Sequence, residues 1–507
     1  MTLIQDPDRR RSSMSQLRNR PDNGFSETVS EGLSIATTIK NNSRESPDFP
    51  MSSKHQLPEL RLIDDPSYGA VSTPKHAPLV MIETHGCKLN MADSQRMARE
   101  FVSAGYAMAQ DGDTPDVFVL DSCTVTHVAD RKARQALSRA RRAFPNALIV
   151  ATGCMAQRDA VEVDALDFVD LVVTNQQKRY LTQTVTDQLD VPLTPCADGA
   201  RPIEALLGRS RVSLKIQEGC DQVCAYCIVP RVRGRESSVP DEMLVQQVAR
   251  LVDEGAREVV LTGTQLGSYG FDLPDTDLAT MLRRVLSETG IERLRVSSLQ
   301  PAEITDDLLA VWSEADKGRL CPHFHMALQS GSDAILERMR RRYTGDEFVL
   351  AAERVRSAVP GATITGDAIA GFPGETENDH RSTLKVIKDV GFADLHVFPY
   401  SERPGTSAAH FNDHVDHPIR ARRAAEIREL GARLSANFRQ SVVGTVRPVL
   451  WENDSPTTGL TDTYLRVRRI EAPGLTDNDA TSERLENVIE RVKLTRVDGG
   501  VLIGEPV

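Results

Sequence analysis

Three cysteines stand close together in GCDQVCAYC, where Cys220, Cys224 and Cys227 follow the apolar run VSLKI. Three thiolates on one tight loop can hold three irons of a [4Fe–4S] cluster and leave the fourth iron open for a substrate-like ligand. Structural zinc is the alternative, but it wants a closed set of four ligands, and no local His or Cys completes this one. Three more cysteines are spread out: Cys87, Cys123 and Cys154 close the runs VMIETHGC, VFVLDSC and LIVATGC. Their spacing is close to the roughly 30 residues of one βαβ unit. In an open parallel sheet the carboxyl ends of the strands line one crevice, so three such cysteines can converge on a single ligand, a second cluster with an open iron. The alternative is three unrelated small core residues, a common fate of free cysteine. Cys196 and Cys321 share neither pattern and read as core residues.

The elements that would position these thiols are visible as texture. From Leu79 the runs LVMIET, DVFVLD, ALIVAT and DLVVTN alternate with helical stretches at Ser94 to Ala104 and Asp130 to Phe144, which implies an open parallel α/β domain over 77–200. In the first helix Met97 and Phe101 share a face, Asp93 can cap the start and Gly105 can stop it. A second block, 206–436, repeats strand-then-helix units at VSLKI, EVVLTG, LRVSSL, HFHMALQ, ATITGDAIAGF and DLHVFPY. Six units suit a complete or partial βα barrel with its chemistry at the strand carboxyl ends. The last block, 439–507, turns to β texture with a Gly499-Gly500 turn, as in a small antiparallel barrel. Residues 1–76 lack any sustained period and read as a disordered extension, with Met51 a possible later start.

Length and composition bound the class. The chain has 507 residues, a formal net charge of −11, 40% hydrophobic and 26% charged residues, values of a folded globular protein of several domains. Eight cysteines are too few for a disulfide framework in so long a chain and suit a reducing compartment. No run approaches the roughly 20 apolar residues of a bilayer span, and the N-terminus has no signal-peptide core. A soluble, cytoplasmic protein is expected.

With an aromatic residue, Tyr226, before its third cysteine, the CxxxCxxC loop resembles that of the radical S-adenosylmethionine enzymes, and the three spread cysteines resemble those of the methylthiotransferases within that superfamily. The similarity runs from about Val80 to the C-terminus through GCKLNMADS, DSCTVTHVAD, TGCMAQR, QEGCDQVCAYCIVPRVRG, LTGTQLGSYG, LQSGSDAILERMRRRYT, GDAIAGFPGET and HVFPYSERPGTSAA. GCKLN, GCD and LGSYG look most like the subfamily acting on N6-threonylcarbamoyladenosine in tRNA; the isopentenyladenosine subfamily and the one modifying a ribosomal-protein aspartate are the alternatives. An alternative of another class is a non-catalytic iron–sulfur or zinc module that binds RNA.

The resemblance implies two [4Fe–4S] clusters and S-adenosylmethionine, with a methylthio group replacing the hydrogen at C2 of the adenine at tRNA position 37. The cluster on Cys220, Cys224 and Cys227 would bind and reduce S-adenosylmethionine to a 5′-deoxyadenosyl radical; that on Cys87, Cys123 and Cys154 would carry the sulfur. Tyr226, Thr262, Gly263, Thr264, Ser297, Gln329 and Asp367 are implied as cofactor contacts at the strand ends. An electron donor of flavodoxin or ferredoxin type and a sulfur donor are implied as partners. His323 and His325 point to one side of a strand and read as core histidines rather than metal ligands. For tRNA, Arg340 and Arg341 belong to a dense basic patch, and 439–507 resembles a TRAM domain. There Tyr464, Arg466 and Arg468 share one face at period 2, a stacking ring beside two cations.

Overall fold

A computed structural model of the chain describes residues 77–110, 112–189, 211–316, 318–452, 458–470 and 485–507. The expected N-terminal disorder, Cys196 and most of the acidic stretch 471–486 lie outside the described residues. Five strands form the first sheet: β1 (Leu79–His85), β2 (Ala107–Met108), β3 (Val117–Ser122), β4 (Leu148–Gly153) and β5 (Leu171–Val173). All pairs are parallel, in the order β2-β1-β3-β4-β5. Every residue of β3 is buried, as expected for a strand covered on both faces. The order reverses direction between β1 and β3, which opens a crevice at their carboxyl ends. β2 is too short to leave an apolar run in the sequence.

The first helix spans Lys88–Ser103, one and a half turns longer than its pattern suggests, with Cys87 as its N-cap residue. Met97 and Phe101 are fully buried as expected. Asp93 does not cap this helix. It lies inside it, buried, and pairs with Lys178 (3.0 Å), Lys215 (2.7 Å) and Arg233 (3.2 Å). Three cations drawn from three distant segments outweigh the local N-terminal role.

The central block begins with β6 (Arg211–Lys215), followed by a two-residue antiparallel pair, β7 (Gln217–Glu218) with β8 (Ser237–Ser238), that pins the base of the intervening cysteine loop. β9 (Glu258–Thr262), β10 (Arg293–Val296), β11 (Ser298–Leu299), β12 (His323–Met326), β13 (Thr363–Ala370) and β14 (Asp394–Pro399) complete a parallel arc. The run LRVSSL becomes two strands: β10 pairs with β9 and β11 with β12. The arc is a partial barrel, paired as β10-β9-β6 and β11-β12-β13-β14. One continuous apolar core from Val212 to Ile427 lies between the strands and their helices.

A 25-residue helix, His417–Ser441, crosses the expected boundary at 436–439 and leads into a closed five-stranded barrel. Its strands are β15 (Val446–Trp451), β16 (Thr458–Thr461), β17 (Arg466–Arg469), β18 (Ile489–Asp498) and β19 (Val501–Pro506), with β17 and β19 parallel and the other pairs antiparallel. Trp451, Val467 and Leu494 fill its core. Two buried arginines of β10 dock this barrel on the arc. Arg293 donates to the carbonyls of Leu460 (3.2 Å) and Thr461 (2.9 Å), and Arg295 to those of Thr461 (3.2 Å) and Asp462 (2.9 Å). Glu258 balances both guanidiniums at 2.7 Å. Burial alone would raise its pKa, yet Arg293 and Arg295 hold it at about 2.

Candidate active site

The consecutive cysteines sit on the loop that β7 and β8 close. Gly219, at φ 76°, precedes Cys220, and a Cβ there would collide with the Arg235 carbonyl, so the turn into the loop requires glycine. Cys220 is buried and Cys224 and Cys227 are half-buried. Burial pushes the Cys220 thiol up to about 11 and the Cys227 thiol to about 12. Arg341 donates to the Cys224 sulfur at 3.4 Å and to Gln300 at 2.8 Å. The expectation of Arg341 as a phosphate ligand in an exposed patch therefore meets an inward side chain beside the cysteine loop, whereas Arg340 is exposed and donates to the Val223 carbonyl (3.4 Å).

The dispersed cysteines occupy three strand ends: Cys87 after β1, Cys123 after β3 and Cys154 after β4. Gly153, at φ 95°, leads into Cys154, and a Cβ at Gly153 would strike Asp121 and the Ser122 backbone, so the turn requires glycine. The three thiols are electrostatic neighbours. Burial first, then Cys87 and Cys154, push Cys123 up to about 12. The cation that serves this triad is Arg233, whose side chain is 2% exposed, binds Asp93 and Glu218, and keeps Nη2 without a partner. Arg233 ends the short helix Val229–Arg233 that starts just after Cys227, and Val232 and Ile228 pack on Cys154. One turn of helix thus links the two triads.

Among the described residues no three His, Cys, Asp or Glu side chains meet closely enough to grip one metal ion. A cationic side chain beside each triad suits a bound group with net negative charge.

A cavity of about 940 Å³ joins the sheet and the arc. Cys87 and Cys123 line it from one side, and Tyr226, Thr262, Gly263, Ser297, Gln329 and Asp367 from the other. Cys154 and the three loop cysteines are not among the lining residues, and Tyr226 is the loop's contact with the space. Thr264 is not brought to the wall; its N–H donates to Gln217 at 2.9 Å. Asp367 is held low by His325 (3.2 Å) and His396 (3.1 Å) against the effect of burial. His323 and His325 both lie in the wall, within 2.9 Å and 3.1 Å of the Thr365 hydroxyl, so they are cavity residues rather than plain core.

The C-terminal barrel supplies the last piece. Tyr464 does not join Arg466 and Arg468 on an exposed strand face. It sits at φ 67° in the turn before β17, reaches into the cavity and stacks on His323 with ring centroids 4.5 Å apart. Arg466 and Arg468 remain exposed and pair with Glu452 and Asp498. Around the Tyr464 ring stand Lys88 (5.6 Å), Arg211 (5.9 Å) and Arg295 (5.2 Å). Lys88, His396 and Arg233 are the site residues that the sequence reading passed over; the local signal for each was its place inside a quoted motif, GCKLN, HVFPYSERPGTSAA and QEGCDQVCAYCIVPRVRG.

Comparison with known proteins places the chain in a family. Residues 79–174 match the family described as "Uncharacterized protein family UPF0004" and residues 214–387 match the "Radical SAM superfamily". Threonylcarbamoyladenosine tRNA methylthiotransferase MtaB of Bacillus subtilis is 36% identical over 405 residues, covering 76% of this chain and 89% of that protein. The protein of the same name from Aquifex aeolicus is 36% identical over 400 residues, covering 77% and 96%. A tRNA-2-methylthio-N(6)-dimethylallyladenosine synthase of Syntrophotalea carbinolica is 32% identical over 388 residues, covering 74% and 88%. Such identity over nearly the whole of these relatives, with both domains present, makes the chain a member of the radical S-adenosylmethionine methylthiotransferase family, like its MtaB enzymes.

Proposed function

We propose that this protein is a tRNA methylthiotransferase that adds a methylthio group to C2 of N6-threonylcarbamoyladenosine at position 37, beside the anticodon. The observation that carries this reading is the shared cavity, which has Cys87 and Cys123 in one wall and the strand ends of the radical domain in the other. Cys220, Cys224 and Cys227 would hold one [4Fe–4S] cluster and Cys87, Cys123 and Cys154 a second. Together with S-adenosylmethionine, these groups supply the radical cleavage of an unactivated C–H bond and the sulfur that replaces the hydrogen, chemistry that no side chain of ordinary pKa performs.

The chain's own residues bind and orient. Arg341 donates to Cys224 and Arg233 faces the second triad, so each cluster would gain a buried cation that moderates its charge. Gly263, where a Cβ would crowd Leu266 and Gln217, would offer its backbone at the end of β9, and Tyr226, Ser297, Gln329 and Asp367 would orient the cofactor. Exposed Lys132 at the rim and Arg131 and Arg142 on the same helix, His127–Ala143, would meet tRNA phosphates. An electron donor of flavodoxin or ferredoxin type and a sulfur donor would complete the cycle, and the tRNA substrate implies a cytoplasmic location. Among the described residues no helix is long and apolar enough to cross a membrane.

The test is nucleoside mass spectrometry after anaerobically reconstituted protein, reductant and S-adenosylmethionine meet tRNA bearing threonylcarbamoyladenosine. The expected product is its 2-methylthio derivative, formed together with 5′-deoxyadenosine. Methylthiolation of isopentenyladenosine tRNA with none of the threonylcarbamoyl substrate would move the chain to the other tRNA subfamily.

A further inference from the structure

Around Tyr464 the cations differ in one respect. Arg211 is paired with Glu452 at 2.8 Å and Arg295 with Glu258 at 2.7 Å. Lys88 pairs with no carboxylate among the described residues and turns its ammonium to the Tyr464 ring in the cavity wall. Of the acids in the wall, Asp367 acts on Lys88 only at a distance and is hydrogen-bonded to His325 and His396, and Asp394, the first residue of β14, makes no ion pair with Lys88. Lys88 also opens the helix Lys88–Ser103, whose first turn carries no acidic residue, so the helix dipole adds positive potential at the same place. Lys132, the other lysine of the wall, is exposed at the rim and solvated, whereas Lys88 is half-buried beside an aromatic face. A half-buried ammonium that holds no carboxylate partner among the described residues and faces the cavity offers an anionic group of the ligand a charge-assisted hydrogen bond.

We propose that Lys88, held on the face of Tyr464, is the counter-ion of the threonyl carboxylate of the substrate nucleoside, and so the residue that selects this nucleoside over adenosines with uncharged N6 substituents. This rests on the substrate reading above. The threonylcarbamoyl group attaches through the amino nitrogen of threonine and leaves its carboxylate free, while an isopentenyl group offers only apolar surface. A charge-assisted hydrogen bond from Lys88 distinguishes the two, and loss of such a bond lowers affinity about ten- to a hundredfold. The C-terminal barrel takes part because Tyr464 positions the ammonium, and Arg293 and Arg295 fix the turn that carries Tyr464.

Anaerobic binding of reconstituted enzyme to an anticodon stem-loop with threonylcarbamoyladenosine, and to the same RNA with unmodified adenosine, tests this. Wild type should prefer the modified RNA, Lys88→Met should lose that preference, Lys88→Arg should keep most of it, and Lys132→Met should weaken both RNAs alike. Iron content and S-adenosylmethionine affinity should stay at wild-type values in Lys88→Met. Retained preference in Lys88→Met, or a selective loss of iron or S-adenosylmethionine binding, would overturn the assignment even if wild type forms the methylthio product. A wild type with neither preference nor product on the modified RNA would overturn the substrate reading and this inference together.

Discussion

The two cysteine triads solve one problem in opposite ways. Cys220, Cys224 and Cys227 share a loop pinned by β7 and β8, so their proximity follows from chain connectivity and survives small shifts elsewhere. Cys87, Cys123 and Cys154 meet only because three parallel strands end side by side, and their proximity depends on the sheet order and on the buried ion network behind it. A local site is robust and easily read from sequence. A site built across strand ends is conditional on the whole sheet, and its buried charges hold the sheet against the radical domain.

The largest expected effect falls on the local site. Cys224→Ala would remove one of the three proposed iron ligands, and formation of 5′-deoxyadenosine, measured by chromatography, should fall to background; cleavage at the wild-type rate would contradict the assignment. Cys123→Ala should separate the triads, keeping S-adenosylmethionine cleavage but ending methylthio transfer. Normal methylthio product from that variant would remove the strand-end triad from the chemistry.

Asp93→Asn sharpens the comparison without touching a thiol. It removes the one anion common to Lys178, Lys215 and Arg233, leaving Asp121 and Glu218 as their remaining partners, so the loss should stay at or below the roughly 3–5 kcal/mol of a fully broken buried pair. Stability in denaturant should drop by at most that order, and the strand-end triad should lose iron before the loop triad does. Equal losses from both would show that the network supports the whole fold rather than one triad.

A smaller and slower effect is expected at the barrel. Glu258, held at about 2 between Arg293 and Arg295, has a folded pKa below its unfolded value. Its contribution is complete above the unfolded value of about 4.3 and fades as pH falls toward 2. Glu258→Gln should therefore loosen the barrel at neutral pH, seen as faster amide exchange in β16, and should flatten the acid limb of the stability profile. An unchanged acid limb would remove Glu258 from the docking.

How much of this was legible in the sequence follows the same local and non-local divide. All six runs of the arc, which become seven strands because LRVSSL splits in two, and four of the five strands in the first sheet were visible as apolar segments, because parallel strands covered on both faces leave continuous hydrophobic stretches. The six cysteines were legible because their positions relative to those runs carry the information. Asp93, Arg341 and Tyr464 were misread for a shared reason: their partners lie far away in the chain. Asp93 looked like a cap until Lys178, Lys215 and Arg233 surrounded it, and Tyr464 looked like a strand residue until the arginines of β10 pulled its turn into the cavity.

The central claim is that two separate triads hold two clusters at one cavity. Iron and sulfide analysis with electron paramagnetic resonance, on anaerobically reconstituted wild type and on the Cys220/Cys224/Cys227→Ala variant, tests it most directly. The account predicts about eight irons per chain falling to about four, with one reduced-cluster signal lost and one retained. A single cluster in the wild type, zinc in place of iron, or loss of all iron from the variant would contradict it.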